Sequence, residues 1–445
     1  MRMMKEENNN QKQITMKRLN IILGLLILAQ FSWAQSDILS PAPTQDMPIV
    51  ITGATAHLGN GTKIDNAAIA FSKGKISFVG RAADWSGTDD HIMIDATGKH
   101  VYPGFISANT TLGLREIDAV NATRDEREIG MLNPNVRSII AYNTDSDIIP
   151  TLRSNGVLMA QVCPVGGRMS GKSSIVQLDA WNWEDAAYKM DEGQHLNWPS
   201  AFSYNWRRGT FGKNKNYNKE IKAIREFLDD AKAYCSISED KLEQANLKLE
   251  SMRMCFDKKA QLYIHVNSAK EIQESVLFAE EYGMKIVIVG GVEAYKITDF
   301  LVEHQIPVIL QRVTSLPNGN DVDIDMPFKK ASLLEDAGVL YCFSVGGFWR
   351  ERNLPFQAGQ SVAFGLDYEA AVSGLTLKTA VILGIDDRVG SLERGKDATL
   401  FISDGDALDY LGNKVGRIFI QGRDVSTENK QKALYRKYKK KYERQ

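Results

Sequence analysis

The middle of the chain alternates short apolar runs with amphipathic segments, and this alternation limits the fold more narrowly than any other feature of the sequence. Short apolar runs separated by helices predict a parallel sheet whose outer face the helices cover. A sheet of this kind places the sequence in the α/β class. The strand-like runs are residues 156–163, 174–178, 262–266, 285–289, 306–310 and 339–344.

Short β-runs and glycine turns lie on both sides of this alternation, in residues 49–106 and again in residues 398–420. Two such segments share one sheet only if the middle of the chain brings its ends together, which a closed (β/α) barrel does. Counting residues 102–106 as the first strand gives seven of the eight strands that a closed barrel needs. The remaining strand is not visible between Leu178 and Leu262, where four tryptophans and two amphipathic helices stand instead.

These patterns predict an α/β protein with a TIM-like (β/α) barrel and a small β-sandwich composed of N- and C-terminal segments. The sandwich is expected in residues 48–100 and 388–425. The barrel is expected in residues 101–387, with a helical insert at about 180–258.

Residues 426–445 are strongly basic and predict a C-terminal helix. Four apolar or aromatic residues recur in it at helical spacing, and such a stripe usually docks a helix against the protein while the lysines stay in water. The stripe consists of Leu434, Tyr435, Tyr438 and Tyr442.

A short hydrophobic segment near the N-terminus predicts export. Lys17 and Arg18 precede an apolar run at residues 19–28, and small residues ending at Ala34 occupy the positions that a signal peptidase reads. The run is too short to span a bilayer, which needs roughly 20 apolar residues. We therefore predict that residues 1–34 are a cleaved signal peptide and that the mature protein is periplasmic or secreted without a membrane anchor. The alternative is a buried N-terminal helix.

The charge balance argues against a nucleic-acid partner. The chain has 54 Lys and Arg against 55 Asp and Glu, a net charge of -1. This balance gives no general attraction to polyanions. Four cysteines are few for an exported chain of this size; Cys235 and Cys255 either form a disulfide or remain free thiols, and no spacing resembles a zinc site.

Two segments resemble the amidohydrolase superfamily, and most closely its imidazolonepropionase-like and dipeptidase-like members. The first is Tyr-Pro-Gly-Phe-Ile at 102–106, after Asp-Ala-Thr-Gly-Lys at 95–99. The second is the longer segment 383–398, which resembles the superfamily's return from barrel to β-sandwich. The similarity covers roughly residues 48–425. It implies a TIM-like barrel with a split β-sandwich, and hydrolysis of amide or cyclic-amide C–N bonds by a metal-activated water.

The resemblance also implies a set of metal ligands, and most of them are replaced in this chain. The superfamily's two histidines on strand one fall on Asn109 and Thr111, its strand-six histidine on Gly290, and its aspartate after strand eight on Gly346. Only the strand-five histidine remains, as His265. Because a lone imidazole binds metal weakly, we expect no cofactor, with zinc at His265 as the metal if one binds.

The loss of ligands favours a pseudoenzyme whose catalytic residues are unknown. Such a protein would bind a small-molecule or peptide ligand without turnover, or would pair with an active paralogue, as a homo-oligomer or as a hetero-oligomer with a related hydrolase. The rival hypothesis is an active hydrolase with a site rearranged around His265 and His195.

Residues 166–173, Gly-Gly-Arg-Met-Ser-Gly-Lys-Ser, match the P-loop pattern. A P-loop needs a helix to begin at its lysine, whereas the residues that follow predict a strand, so nucleotide binding is not expected. In the superfamily a glycine-rich turn between strands two and three lies over the barrel mouth. Arg168 and Lys172 would there either bind an anionic ligand or remain solvated.

The segment after the eighth strand is the other candidate ligand contact, because the loops that follow barrel strands build the site. It carries Arg350 and Arg352. Together with Arg168 and Lys172, these residues form the predicted substrate-binding set.

Overall fold

The computed structural model describes residues 40–443 except 88–89, 206–208, 239–243, 318 and 320. The predicted signal peptide, residues 1–34, lies outside the described residues. Within the described part of the chain, no helix is both long and apolar enough to cross a membrane.

The strands and helices alternate through the middle of the chain as the apolar pattern predicts. In chain order the strands are β1 (Ile49–His57), β2 (Lys63–Ser72), β3 (Lys75–Arg81), β4 (Ile92–Asp95), β5 (His100–Pro103), β6 (Phe105–Thr110), β7 (Val157–Val162), β8 (Met169–Gln177), β9 (Ala187–Asn197), β10 (Phe202–Asn205), β11 (Thr210–Lys213), β12 (Gln261–Val266), β13 (Lys285–Gly290), β14 (Val308–Leu310), β15 (Tyr341–Phe343), β16 (Leu400–Ser403), β17 (Val415–Ile420) and β18 (Arg423–Val425). The α-helices are α1 (Ile149–Arg153), α2 (Trp183–Ala186), α3 (Tyr217–Cys235), α4 (Leu247–Glu250), α5 (Arg253–Phe256), α6 (Ala269–Glu280), α7 (Thr298–Glu303), α8 (Met326–Asp336), α9 (Leu354–Val362), α10 (Tyr368–Leu375), α11 (Leu377–Leu383) and α12 (Lys430–Tyr442).

The two ends of the chain form one sheet. Its strand order is β18-β17-β16-β5-β1-β2-β3, with β4 also paired to β1. The strand β5 joins the two ends, because it pairs with β1 on one side and with β16 on the other. Alternate side chains such as Ile51, Ile69 and Phe419 form an apolar cluster on this sheet. The shared sheet follows the sequence prediction, while its packing as a sandwich stays a prediction.

The middle of the chain forms an eight-stranded sheet with the order β15-β14-β13-β12-β9-β8-β7-β6. Its first and last strands meet, so the sheet is a nearly closed barrel. The Thr111 amide donates to the Gly347 carbonyl at 2.6 Å, and the Ser344 hydroxyl donates to the Ala108 carbonyl at 2.9 Å. The carboxyl ends of the parallel strands therefore surround one opening, which we call the mouth.

One barrel strand departs from the fully parallel sheet that the sequence predicts. The strand β8 is antiparallel to both β7 and β9. The segment between β7 and β8 runs only from Cys163 to Arg168, whereas a parallel crossover needs a dozen or more residues. The chain must therefore turn back as a hairpin. In this hairpin Lys172 and Ser173 lie within a strand, and the helix that a P-loop requires does not begin there.

The strand that the sequence pattern does not reveal is β9, which lies inside the predicted helical insert at about 180–258. It pairs with β8 and, in parallel, with β12. The range of the predicted insert therefore holds a barrel strand as well as the predicted helix, which is α3. Glu192, Gln194 and His195 of this strand are at most 1% exposed, so polar residues take buried positions that are usually apolar.

The barrel wall is packed on both faces. Inward-facing side chains such as Ile106, Tyr263 and Val287 form one cluster in the barrel interior. Their outward-facing neighbours, such as Leu262 and Ile264, pack against the surrounding helices. Successive side chains of a strand point alternately into the barrel and out towards the helices. The inward-facing residues nearest the mouth are therefore the candidates for a site.

The C-terminal helix α12 forms where the sequence predicts it, but its apolar stripe does not dock. Asn429 caps the helix by accepting from the Lys432 amide at 2.8 Å, and Gln431 accepts from the Thr151 hydroxyl at 2.9 Å. Beyond this first turn the stripe is exposed, at 67% for Tyr435 and 66% for Tyr442. The hydrogen bonds described between α12 and other elements come from its first turn, so the stripe beyond it is not packed against the protein.

All four cysteines lie among the described residues, and all are free thiols. Cys255 is buried and Cys235 is half-buried. Of the two alternatives for this pair, the structure has the reduced one. Burial raises the pKa of both thiols, which makes them poor nucleophiles.

Candidate functional site

A cavity of about 550 Å³ opens at the mouth of the barrel. Its wall comes from the carboxyl ends of strands and from the residues that follow them, which is where sites on such barrels are built. The lining residues are Asn109, Asn197, Trp198, His265, Val266, Asn267, Val289, Gly290, Leu310, Gln311, Arg312, Ser344, Val345, Gly346 and Arg350.

Two histidines meet at this cavity. His265 is half-buried on β12, and His195 is fully buried on the neighbouring β9. The two rings face each other with His195 Nδ1 at 2.8 Å from His265 Nε2, so that one nitrogen donates and the other accepts. Burial lowers the pKa of His265 to about 4 and that of His195 well below its ordinary value. Both imidazoles are therefore neutral at pH 7 and share a single hydrogen bond.

A buried carboxyl group, Glu192, is linked to the histidine pair through Tyr263. Glu192 accepts from the Ser173 hydroxyl at 2.5 Å, from Gln161 Nε2 at 2.7 Å and from the Tyr263 hydroxyl at 2.7 Å. The Tyr263 ring stacks on His195 with 4.8 Å between centroids. Burial raises the pKa of Glu192 despite these donors. The carboxylate is fully occupied by barrel side chains and does not reach the cavity wall.

The donor set at the mouth does not fit a hydrolytic metal ion. One ring nitrogen of His265 is occupied by His195, and Asn109 and Thr111 stand where the superfamily has histidines. Gly290 cannot be replaced by a ligand without rearrangement, because its φ is +102° and a Cβ there would lie 2.5 Å from Asn267 Oδ1. Within the described ranges, no three His, Cys, Asp or Glu residues converge as a metal site would require.

The electrostatic character of the mouth is positive instead. Arg312 and Arg350 both line the cavity, and its described lining contains no Asp or Glu. No carboxylate in the described part of the chain pairs with either guanidinium. Amide groups of Asn109, Asn197 and Gln311 stand beside them. Two unpaired guanidinium groups with neutral donors around them form a wall that suits a carboxylate or a phosphate.

The four predicted ligand contacts lie in different places. Arg350 lines the cavity. Arg168 donates to Glu220 at 2.9 Å and to the Asn197 carbonyl at 3.0 Å, outside the lining. Lys172 lies on β8, 4.0 Å from an Asp191 oxygen.

The fourth predicted contact, Arg352, stacks over the Trp349 ring at 4.3 Å and is also outside the lining. Conversely, sequence reasoning missed Arg312, which directly follows Leu310 and Gln311 at the end of β14. Its place just after a predicted strand was a usable signal.

The fold has close counterparts among solved structures. An amidohydrolase from Thermotoga maritima MSB8 is 25% identical and superposes with a TM-score of 0.75, covering 85% of this chain and 99% of that one. An adenosine deaminase from Xanthomonas campestris with bound zinc is 16% identical at a TM-score of 0.51, covering 90% and 99% of the two chains.

Sequence comparison is less informative. No family model matches the chain. A curated relative is "Amidohydrolase tasK" from Hapsidospora irregularis, 20% identical in an alignment of 376 residues that covers 75% of this chain and 37% of that protein. The chain thus spans little more than a third of that relative's length. By its barrel fold and by these relatives together, the chain is similar to proteins of the amidohydrolase superfamily.

Proposed function

We propose that this protein is an exported, catalytically impaired member of the superfamily whose barrel mouth binds a small anionic molecule. The observation that carries the proposal is the cavity wall, which combines Arg312 and Arg350 with no described acid. A divalent cation would meet two positive charges there and one half-occupied imidazole. A carboxylate or phosphate would meet two guanidinium groups of opposite charge to its own.

The scaffold supports binding without turnover. The cavity of about 550 Å³ lies in the usual range of small-molecule sites. Arg312 and Arg350 would hold the anionic group, and the side-chain amides of Asn109 and Gln311 would bind polar groups beside it. His265, neutral at pH 7, would exchange a hydrogen bond with the ligand through its remaining nitrogen. The superfamily reaction additionally needs a metal-activated water, and the described residues at the mouth do not form a group of ligands for that metal.

Export is the second part of the proposal, and its support is the sequence of residues 1–34 alone. An exported binding protein meets nutrients and cell-wall fragments that carry carboxylates. Cleavage after residue 34, found by N-terminal sequencing of the secreted or periplasmic protein, would agree with this part. An intact N-terminus on the protein inside the cell would contradict it.

Isothermal titration calorimetry with matched charged and neutral probes tests the binding function. We expect succinate and inorganic phosphate to bind and succinamide to bind much more weakly, because only the anions satisfy the guanidinium groups. Succinate binding should weaken as sodium chloride is added. Equal binding of succinate and succinamide would contradict the proposal. So would hydrolysis of dipeptides in added zinc that His265→Ala abolishes.

A further inference from the structure

A second cavity of about 240 Å³ lies beside the mouth, between the segments that follow β13 and β14. It shares Asn267 and Gln311 with the mouth cavity, so the two are neighbours. Its wall is about half apolar and half polar. The apolar lining includes Val292 from the segment after β13, Leu316 and Val322 from the segment after β14, and Met326 and Pro327 from the first turn of α8.

One lysine lies among these apolar residues. Lys330 is only 8% exposed and lies on the buried face of α8 with Pro327, Ala331 and Leu334, where an apolar residue is expected. No described side chain pairs with its ammonium by a hydrogen bond or an ion pair. A buried lysine without a partner is rare. Desolvation accordingly lowers the pKa of Lys330.

The acid in the same wall does not supply the missing counter-charge. Glu293 accepts from Lys296 Nζ at 2.8 Å through one oxygen and from the Ala269 amide at 2.9 Å through the other. Both oxygens of this carboxylate are therefore engaged by other groups. The ammonium of Lys330 faces a cavity in which nothing described neutralises it, an arrangement that is costly unless a ligand provides the opposite charge.

We propose that this second cavity is a binding site for a small apolar carboxylic acid. The carboxylate pairs with the Lys330 ammonium, and the hydrocarbon part packs against Val292, Leu316, Val322 and Met326. The volume limits the acid to a short branched chain or a single ring. The site does not depend on the function proposed for the mouth, since Arg312 and Arg350 do not line it.

The proposal is tested by titrating 4-methylpentanoate and its neutral amide, 4-methylpentanamide, into three forms of the protein. These are the wild type, Lys330→Met and Lys329→Met. The control residue Lys329 is the next residue on α8, but it is more exposed and pairs with Asp323 at 2.7 Å. We expect the wild type and K329M to bind the acid alike. The wild type should bind the amide at least about tenfold more weakly than the acid, and K330M should bind the acid more weakly than the wild type by a similar factor.

Chemical labelling gives a second readout on the wild-type protein and does not require any variant to fold. Acetic anhydride acetylates neutral amines, and mass spectrometry reports each lysine separately. We expect 4-methylpentanoate to slow acetylation of Lys330 and to leave Lys329 unchanged.

Any one of the following results would overturn the proposal: no binding of the acid, equal binding of acid and amide, full binding of the acid by K330M, or an unchanged acetylation rate at Lys330. Loss of acid binding in Arg350→Met would also overturn it, because the acid would then occupy the mouth. Failure of succinate to bind would instead count against the mouth alone. The two proposals therefore fail separately.

Discussion

Replacing both Arg312 and Arg350 by methionine is expected to lower the affinity of the mouth for succinate by about 100-fold or more. Hydrogen bonds to a charged group contribute about 1.5–3 kcal/mol each, so that each guanidinium accounts for roughly one to two powers of ten. Methionine keeps much of the aliphatic bulk and removes the charge. Isothermal titration calorimetry of the variant measures the loss directly.

The matched control is Arg352→Met. This arginine lies two residues from Arg350, but it stacks on Trp349 and donates to the Trp349 carbonyl outside the cavity. Its loss should leave succinate binding unchanged. Neither mouth arginine pairs with a described acid, so the double variant should keep its melting temperature. Full succinate binding by the double variant would place the anion elsewhere.

Glu351→Gln is expected to raise the free energy of unfolding at pH 8.5 by about 4 kcal/mol relative to the wild type and to change it little at pH 4. Glu351 is fully buried and accepts from the Ser107 hydroxyl at 2.5 Å, which ties the segment that carries Arg350 to β6. Burial raises the pKa of this carboxyl to about 8. The glutamine side chain resembles the protonated acid and cannot ionise.

The sign follows from proton linkage. A carboxyl with a higher pKa in the folded state holds its proton more tightly when folded. Stability of the wild type therefore falls as pH rises from the ordinary glutamate value to about 8, and it stays level above that value. One pKa unit corresponds to about 1.4 kcal/mol, which sets the size of the loss.

Urea unfolding of the wild type and of E351Q between pH 4 and pH 9 measures this difference. The exposed Glu303 on α7 provides the control, because Glu303→Gln should leave the pH dependence as in the wild type. If the free energies of unfolding of the wild type and E351Q changed with pH in parallel, Glu351 would be ionised in the folded protein at neutral pH. The carboxyl would then need a counter-charge, and Ser107 alone could not hold the segment.

Much of the barrel could be predicted because its outer wall follows simple rules. Strands such as β13 and β14 carry continuous apolar runs, and the helices that cover them carry apolar residues at helical spacing. The strand β9 escaped this reasoning because its inward residues are Glu192 and His195, whose burial depends on partners from β7, β8 and β12. A polar strand cannot be recognised before those partners are known.

The candidate site divides in the same way. His265 could be located because the resemblance to the superfamily assigns it to the fifth barrel strand. Arg350 could be located because it follows the eighth barrel strand. The contact between His265 and His195 depends on β9, so that the sequence could only raise it as an alternative. The positive mouth depends on Arg312 and on the absence of acids from the described lining, which comes from five strands and the segment after a sixth. The charge of this wall is the total over segments that are far apart in the sequence, and no single segment reveals it.

The number of zinc ions bound per chain tests the central claim most directly. The purified protein is incubated with zinc chloride, desalted and analysed by inductively coupled plasma mass spectrometry beside His265→Ala. We predict far less than one zinc per chain and no difference between the two proteins, because one half-occupied imidazole in a cavity that two arginines also line cannot hold the ion. About one zinc per wild-type chain that is lost in His265→Ala would contradict the account.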